Sequence, residues 1–182
     1  MVEVDRGIIN PKEFLVKPSQ KLEVGTLAEA PNIKLLRYLP TLKNYSALYL
    51  IDSKWHVIKT NSELGIPDWL LPQGSAVLMY SRPSNKADTQ GEEAVPSIND
   101  FLLCSPFAKN LIVSSSGITQ YWSVGVGTKR VLARELNADH FRFADRKRFK
   151  EYISFLKDNG AEYKVHPWDK ITEQNLPELL HR

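Results

Sequence analysis

The densest group of chemically capable side chains lies between Lys129 and Lys150, where eight Lys or Arg accompany three acids. Arg146, Lys147 and Arg148 fall in the first turn of a helix that the pattern predicts from Asp145 to Asn159. Cations are disfavoured there by roughly 0.3 to 1 kcal/mol each at low salt, because the backbone dipole already presents partial positive charge. An anionic ligand would account for the placement, since free amides at a helix start and adjacent guanidinium groups together suit a phosphate. The opposing reading is a solvated face whose repulsion is screened by salt and partly offset by Asp145.

Aromatic residues accompany this charge. His140, Phe141, Arg142 and Phe143 precede the helix, and nucleic-acid modules stack bases on exposed rings while Lys and Arg hold phosphates. Phe141, Phe143 and Tyr152 are also what the helix needs for its core, so they are expected to be buried. The expected exposed set is His140, Arg142, Arg146, Lys147 and Lys150, with Lys129 and Arg130 extending the same surface. Such a set can hold phosphates without reading bases.

Other constellations are weaker. Glu162 and Lys164 share one strand face, and a metal-dependent nuclease would need a second acid beside them to hold Mg²⁺. The strand predicted over Ile118 to Val126 contains no acid, so Glu135 would have to serve. His56, His140, His166 and His181 show none of the i, i+4 spacing of a zinc helix, and no metal or cofactor is expected. Val124-Gly125-Val126-Gly127-Thr128-Lys129 lacks the spacing of a nucleotide-binding loop and reads as a glycine-broken strand end. Ser114 to Gly117 lacks a nucleophile elbow and reads as a turn. Cys104, the one cysteine, lies in the apolar run Phe101 to Cys104, as a buried inert thiol does, and no disulfide can form within the chain.

The elements that position these residues follow from periodicity and turn chemistry. Phe149, Tyr152, Ile153 and Leu156 fall at the i, i+3, i+4, i+7 spacing of a buried helical stripe, Phe155 points away from it, and Gly160 suits the left-handed helix end. His140 to Phe143 alternates like a strand, and Ala161 to Val165 reads as another, giving a strand, helix, strand unit. If those strands are parallel, the crossover is right-handed. Ala47 to Ile51 and Trp55 to Thr60 predict a hairpin around Asp52-Ser53-Lys54, and Ala76 to Tyr80 a further strand. Leu111 to Ser114 and Ile118 to Val126 predict a second hairpin. Ser97 is expected to cap a helix from Ile98 that Pro106 ends or kinks, and Ile33 to Leu39 is expected to be a short helix. Phe14 to Val16 and Leu22 to Leu27 read as short strands, Ser62 as a helix cap, and Trp69 to Leu71 as a hydrophobic plug. Residues 129 to 136 fit either a helix capped by Thr128 or a strand.

The resulting fold class is α+β, with a β-rich N-terminal half containing hairpins and a C-terminal half built on a hairpin plus a β-α-β unit. Residues 83–97 are polar and proline-containing, which predicts a flexible loop or linker between a β-rich region, 1–82, and an α/β region, 98–182, unless all three form one domain. Composition sets the class: 182 residues, 42% hydrophobic and 25% charged, with a net charge of +3, describe an ordinary globular chain able to bury a core. The N-terminal MVEVDRGIINPKEF carries acids and no continuous apolar core, so no secretory signal and no membrane partner are expected, and a cytoplasmic location follows. The functional expectation is a non-enzymatic accessory protein contacting nucleic-acid phosphates through the basic surface. The alternatives are an assembly subunit meeting an acidic protein partner through the same charges, and the nuclease. Nothing in the pattern specifies an oligomeric state.

Overall fold

A computed structural model describes residues 3–17, 21–60, 72–84, 91–138 and 146–181. The strands are β1 (Glu3–Ile8), β2 (Leu22–Thr26), β3 (Ser46–Ile51), β4 (Lys54–Lys59), β5 (Val77–Ser81), β6 (Lys109–Ser114), β7 (Gly117–Tyr121) and β8 (Tyr163–Pro167). They form one eight-stranded sheet in the order β1-β2-β4-β3-β5-β6-β7-β8. β1 with β2 and β5 with β6 are parallel, and every other neighbouring pair is antiparallel. The protein is therefore α+β, with the first five strands giving a β-rich N-terminal half.

Turn chemistry sets the first hairpin. Asp52 and Ser53 have φ of 50° and 62° and lie between the paired residues Ile51 and Lys54. Two left-handed residues make a two-residue loop whose twist matches that of the strands. The second hairpin, β6 with β7, turns at Ser115 and Ser116, and β7 stops at Tyr121, five residues short of the expected end.

Alternation along the strands divides the core between the two faces of the sheet. On one face Leu48, Val57, Val77, Met79, Leu111 and Ile118 meet helices α1 (Pro11–Val16), α2 (Ile33–Tyr38) and the C-terminal α6 (Leu176–Leu179). On the other, Ile112 and Tyr121 meet α3 (Ile98–Leu102), α4 (Val126–Ala138) and α5 (Arg146–Asp158). Toward the N-terminal half this second face continues as Leu22, Val24, Ala47, Tyr49 and Ile58, with Leu78 and Tyr80 partly buried beside them.

Local signals account for the helices. In α5, Phe149, Tyr152 and Leu156 are buried and Ile153 half-buried, as the stripe requires. Phe155, expected to leave the main stripe and meet a second element, is half-buried against the same cluster. Gly160, at φ 72°, ends the helix in the left-handed conformation. α3 carries a full capping box: Ser97 Oγ accepts from the Asp100 amide at 3.1 Å, and Asp100 Oδ2 accepts from the Ser97 amide at 2.8 Å.

Three expectations change. Phe14 to Val16 is helical rather than extended, because Asn10 Oδ1 accepts from the amides of Lys12 and Glu13 and Pro11 occupies the first turn. Residues 129 to 136 belong to α4, which begins before Thr128, so Thr128 stands inside the helix instead of capping it. The glycine-containing stretch from Val124 is the entry to that helix and not a strand end, with the Lys129 amide donating to the Gly125 carbonyl at 3.0 Å. The strand expected at 140–143, the cap at Ser62 and the plug at 69–71 lie outside the described residues. β8 follows α5 and pairs antiparallel with β7.

The sheet is continuous across the polar stretch 83–97, since β5 and β6 are direct neighbours. The later part of that stretch is packed: Ala94 and Val95 are buried. Arg82 donates to the carbonyls of Glu93 at 2.9 Å and Val95 at 2.7 Å and forms an ion pair with Asp100.

Candidate functional site

The basic residues stand on two helices that form a layer over β6 and β7. α4 and α5 are each 13 residues long, or about 20 Å at 1.5 Å per residue. Thr128 Oγ1, in the first turn of α4, donates to the Asn159 carbonyl just beyond α5 at 2.9 Å. The start of α4 thus meets the end of α5. Leu132 of α4 and Phe149, Tyr152 and Leu156 of α5 share one core cluster beneath them.

This arrangement separates the predicted residues. Lys129 and Arg130 stand near one end of the layer, and Arg146, Lys147 and Lys150 near the other. Arg130 and Lys150 are exposed. Lys129 is half-buried, and its charge is felt at Cys104, so it faces the α3 side of the layer. Arg146 and Lys147 occupy the first turn of α5. His140 and Arg142 lie outside the described residues, as does Asp145, the expected cap.

Two cations outside that set extend the surface. Arg134 is exposed and lies one turn beyond Arg130 on the same helix face, and Lys157 is exposed near the end of α5. The signal for Arg134 was its i, i+4 spacing from Arg130. Acids interrupt the surface: Lys150, Glu151, Ser154 and Asp158 line a shallow cavity of about 450 Å³ on α5.

Elsewhere the chemistry is quiet. Cys104 is buried, and burial pushes its thiol from 9.0 up to about 12, with Lys129 opposing and Asp100 reinforcing the shift. Such a thiol is inert at neutral pH. Glu162 and Lys164 are exposed, and the residue paired with Lys164 across β7 is Gln120, not an acid. Among the described residues no group of three or more His, Cys, Asp or Glu could hold a metal ion. His56 stacks on Tyr49 at 4.9 Å and shares a hydrogen bond with Thr26 Oγ1 at 3.2 Å. His166 is half-buried, with its Nε2 buried and unpartnered among the described residues. Burial, then Lys164 and Lys109, lower its pKa.

Fold and site together define an α+β protein whose mixed sheet carries a basic two-helix layer on one face. No known protein family, curated protein or solved structure matches the chain. Among the described residues no helix is long and apolar enough to cross a membrane.

Proposed function

We propose that the α4–α5 layer is an electrostatic docking surface for the sugar-phosphate backbone of a nucleic acid, and that the protein acts as an accessory factor without catalysis of its own. The observation that carries this reading is the partition of charge. The two helices hold eight Lys or Arg against three Asp or Glu, an excess of five, whereas the whole chain has a net charge of +3. Outside the layer acids therefore outnumber bases. A field of one sign confined to one face steers a polyanion to that face. Cations spread over both helices, without a cluster of exposed rings among the described residues, suit phosphate contacts more than base readout.

The test is fluorescence anisotropy of labelled single-stranded and duplex oligonucleotides across a salt series. Each phosphate contact should contribute about −0.9 to the slope of log K against log salt for duplex and about −0.7 for single strands. Replacing Arg130, Arg134 and Lys150 together by Ala should weaken binding to unrelated sequences alike and flatten the duplex slope by about 2 to 3. Absence of binding at low salt sinks the reading and leaves an acidic protein as the partner of the same charges. Binding with a slope unchanged in the triple variant moves the interface elsewhere.

A further inference from the structure

A cavity of about 330 Å³ lies on the face of the sheet opposite the α4–α5 layer, between the β6–β7–β8 edge and the chain around α6. Register builds its floor. Gln120 of β7 pairs with Leu111 of β6 and Lys164 of β8, and Lys109 and His166 stand two residues along from those partners, so all these side chains leave the same face. Leu111 and Ile118 place that face in the core cluster that α6 covers. Lys109, Gln120 and His166 line the cavity, and Lys170 and Glu178 close it from the segment around α6.

The polar groups of this lining are left with hydrogen-bonding capacity. His166 Nε2 is buried and has no hydrogen-bond partner among the described residues. A buried nitrogen in that state calls for a ligand or a water. Among the described residues the side chains of Gln120 and Lys170 likewise make no hydrogen bond or ion pair. The Lys109 ammonium donates to the carbonyls of Glu178 at 3.1 Å and Leu179 at 3.0 Å, which holds it at the cavity with its third N–H left over.

Charge in the lining favours an anion. Lys109 and Lys170 stand against one acid, Glu178, which is exposed and forms no ion pair among the described residues. Burial lowers the pKa of Lys109, and Glu178 opposes only part of that shift, so the ammonium is not fully compensated. Lys164, exposed on the same face beside Gln120, adds a third positive charge. These fields overlap at the imidazole: after burial, Lys164 and Lys109 both lower the pKa of His166. The ring is therefore neutral at pH 7 and able to carry its proton on Nε2 as a donor.

We propose that this cavity binds a phosphate group, as free phosphate or as a small phosphate monoester. Lys acts on phosphate as a point charge, whereas a planar carboxylate is better matched by the fork of Arg, and no Arg stands in the described lining. Lys109 and Lys170 supply the charge, and the Gln120 amide and the His166 Nε2–H donate to the remaining oxygens. The volume lies at the lower end of small-molecule sites and leaves room for a short organic body beside the phosphate. This site is independent of the nucleic-acid reading and uses none of its residues.

The test is titration of the intact protein with inorganic phosphate and with glycerol 3-phosphate, read by calorimetry and by the histidine ring resonances in NMR, with glycerol as the uncharged control. Both phosphates should bind and glycerol should not. Tighter binding of the ester assigns the site to a phosphorylated small molecule, and equal or weaker binding assigns it to free phosphate. Lys170→Ala, at an exposed position, should weaken both by about tenfold. Gln120→Glu, which sets a carboxylate in the floor, should abolish binding, and Lys54→Ala, exposed on the β3–β4 hairpin, should change nothing. The His166 ring resonances should shift on saturation while those of His56 stay in place, because β4 lies five strand spacings from β8, about 24 Å at about 4.8 Å each. No phosphate binding, equal binding of glycerol, wild-type affinity in both Lys170→Ala and Gln120→Glu, or a His56 shift equal to that of His166 would each overturn the proposal.

Discussion

Tyr152→Phe isolates the bond that ties α5 to the chain leading into α3. Tyr152 is 1% exposed, and its hydroxyl donates to the Pro96 carbonyl at 2.7 Å. Burial raises its pKa, with the charge of Asp100 adding to the rise and Arg82 opposing it. The phenol is therefore a neutral donor at any ordinary pH. Removing the hydroxyl keeps the ring against Phe149 and Leu156, so the packing loss is small. What is lost is one buried hydrogen bond, and the carbonyl of buried Pro96 is left without this donor. Together these cost about 1.5 to 3 kcal/mol. For a chain of 182 residues, an unfolding entropy near 2.1 cal/mol/K per residue gives about 0.4 kcal/mol per degree, so the melting temperature should fall by about 4 to 8 °C. Calorimetry or circular dichroism reads the shift, and native-state hydrogen exchange should show faster exchange at the capped amides of Ser97 and Asp100. A melting temperature within about 1 °C of wild type, with unchanged exchange, would refute the assignment of this bond as the anchor of α5.

Two further predictions probe the sheet edge. Gly117 has φ 152°, and a Cβ there would lie 2.1 Å from the His166 carbonyl oxygen; Gly117→Ala must push β8 from β7 and should cost more than about 3 kcal/mol in urea unfolding, whereas Gly125→Ala, facing open space, should be near neutral. Equal midpoints for the two variants would contradict the close approach. His166 has a native pKa below 6.5, so as pH falls the unfolded chain takes up this proton first, and the stability it contributes above pH 6.5 declines toward the lower native value. Thermal melts from pH 7 down to about 5 should lose part of their pH slope in His166→Gln; identical slopes in both proteins would remove His166 as a source of that dependence.

The sequence was most legible where local chemistry decides the structure. Asp52 and Ser53 tolerate positive φ, Ser97 has Asp100 three residues on, and the α5 stripe keeps its period for two turns. It was least legible in residues 3–17. β1 carries Glu3, Asp5 and Arg6 among few apolar residues, so its parallel pairing with β2 has no local signature. Phe14-Leu15-Val16 has no period of its own. Its helix is held from a distance by Lys59 of β4, whose ammonium donates to the Phe14 carbonyl and, at 2.6 Å, to that of Lys17, and lies 3.4 Å from Glu23. A buried ammonium more than forty residues away cannot be read from a window of eleven. The candidate surface was legible as a charge excess, but its division was not, because residue spacing does not reveal that the start of α4 meets the end of α5.

Residues 91–103, together with Arg82, show how the helix layer is supported. A helix of five residues such as α3 is marginal alone, since few intrahelical bonds offset the cost of nucleation. It persists through its capping box, the fully buried Phe101 and the Arg82 contacts to Asp100 and to the backbone at Glu93 and Val95. The same segment receives the Tyr152 hydroxyl at Pro96, while α3 packs on α4. Its polar, proline-containing composition suggests a spacer. Its contacts make it the joint through which β5 and the helix layer keep their mutual geometry. A change at Arg82 should therefore disturb the seating of α4 and α5, whereas changes at Arg130 or Arg134 should act on the charged surface alone.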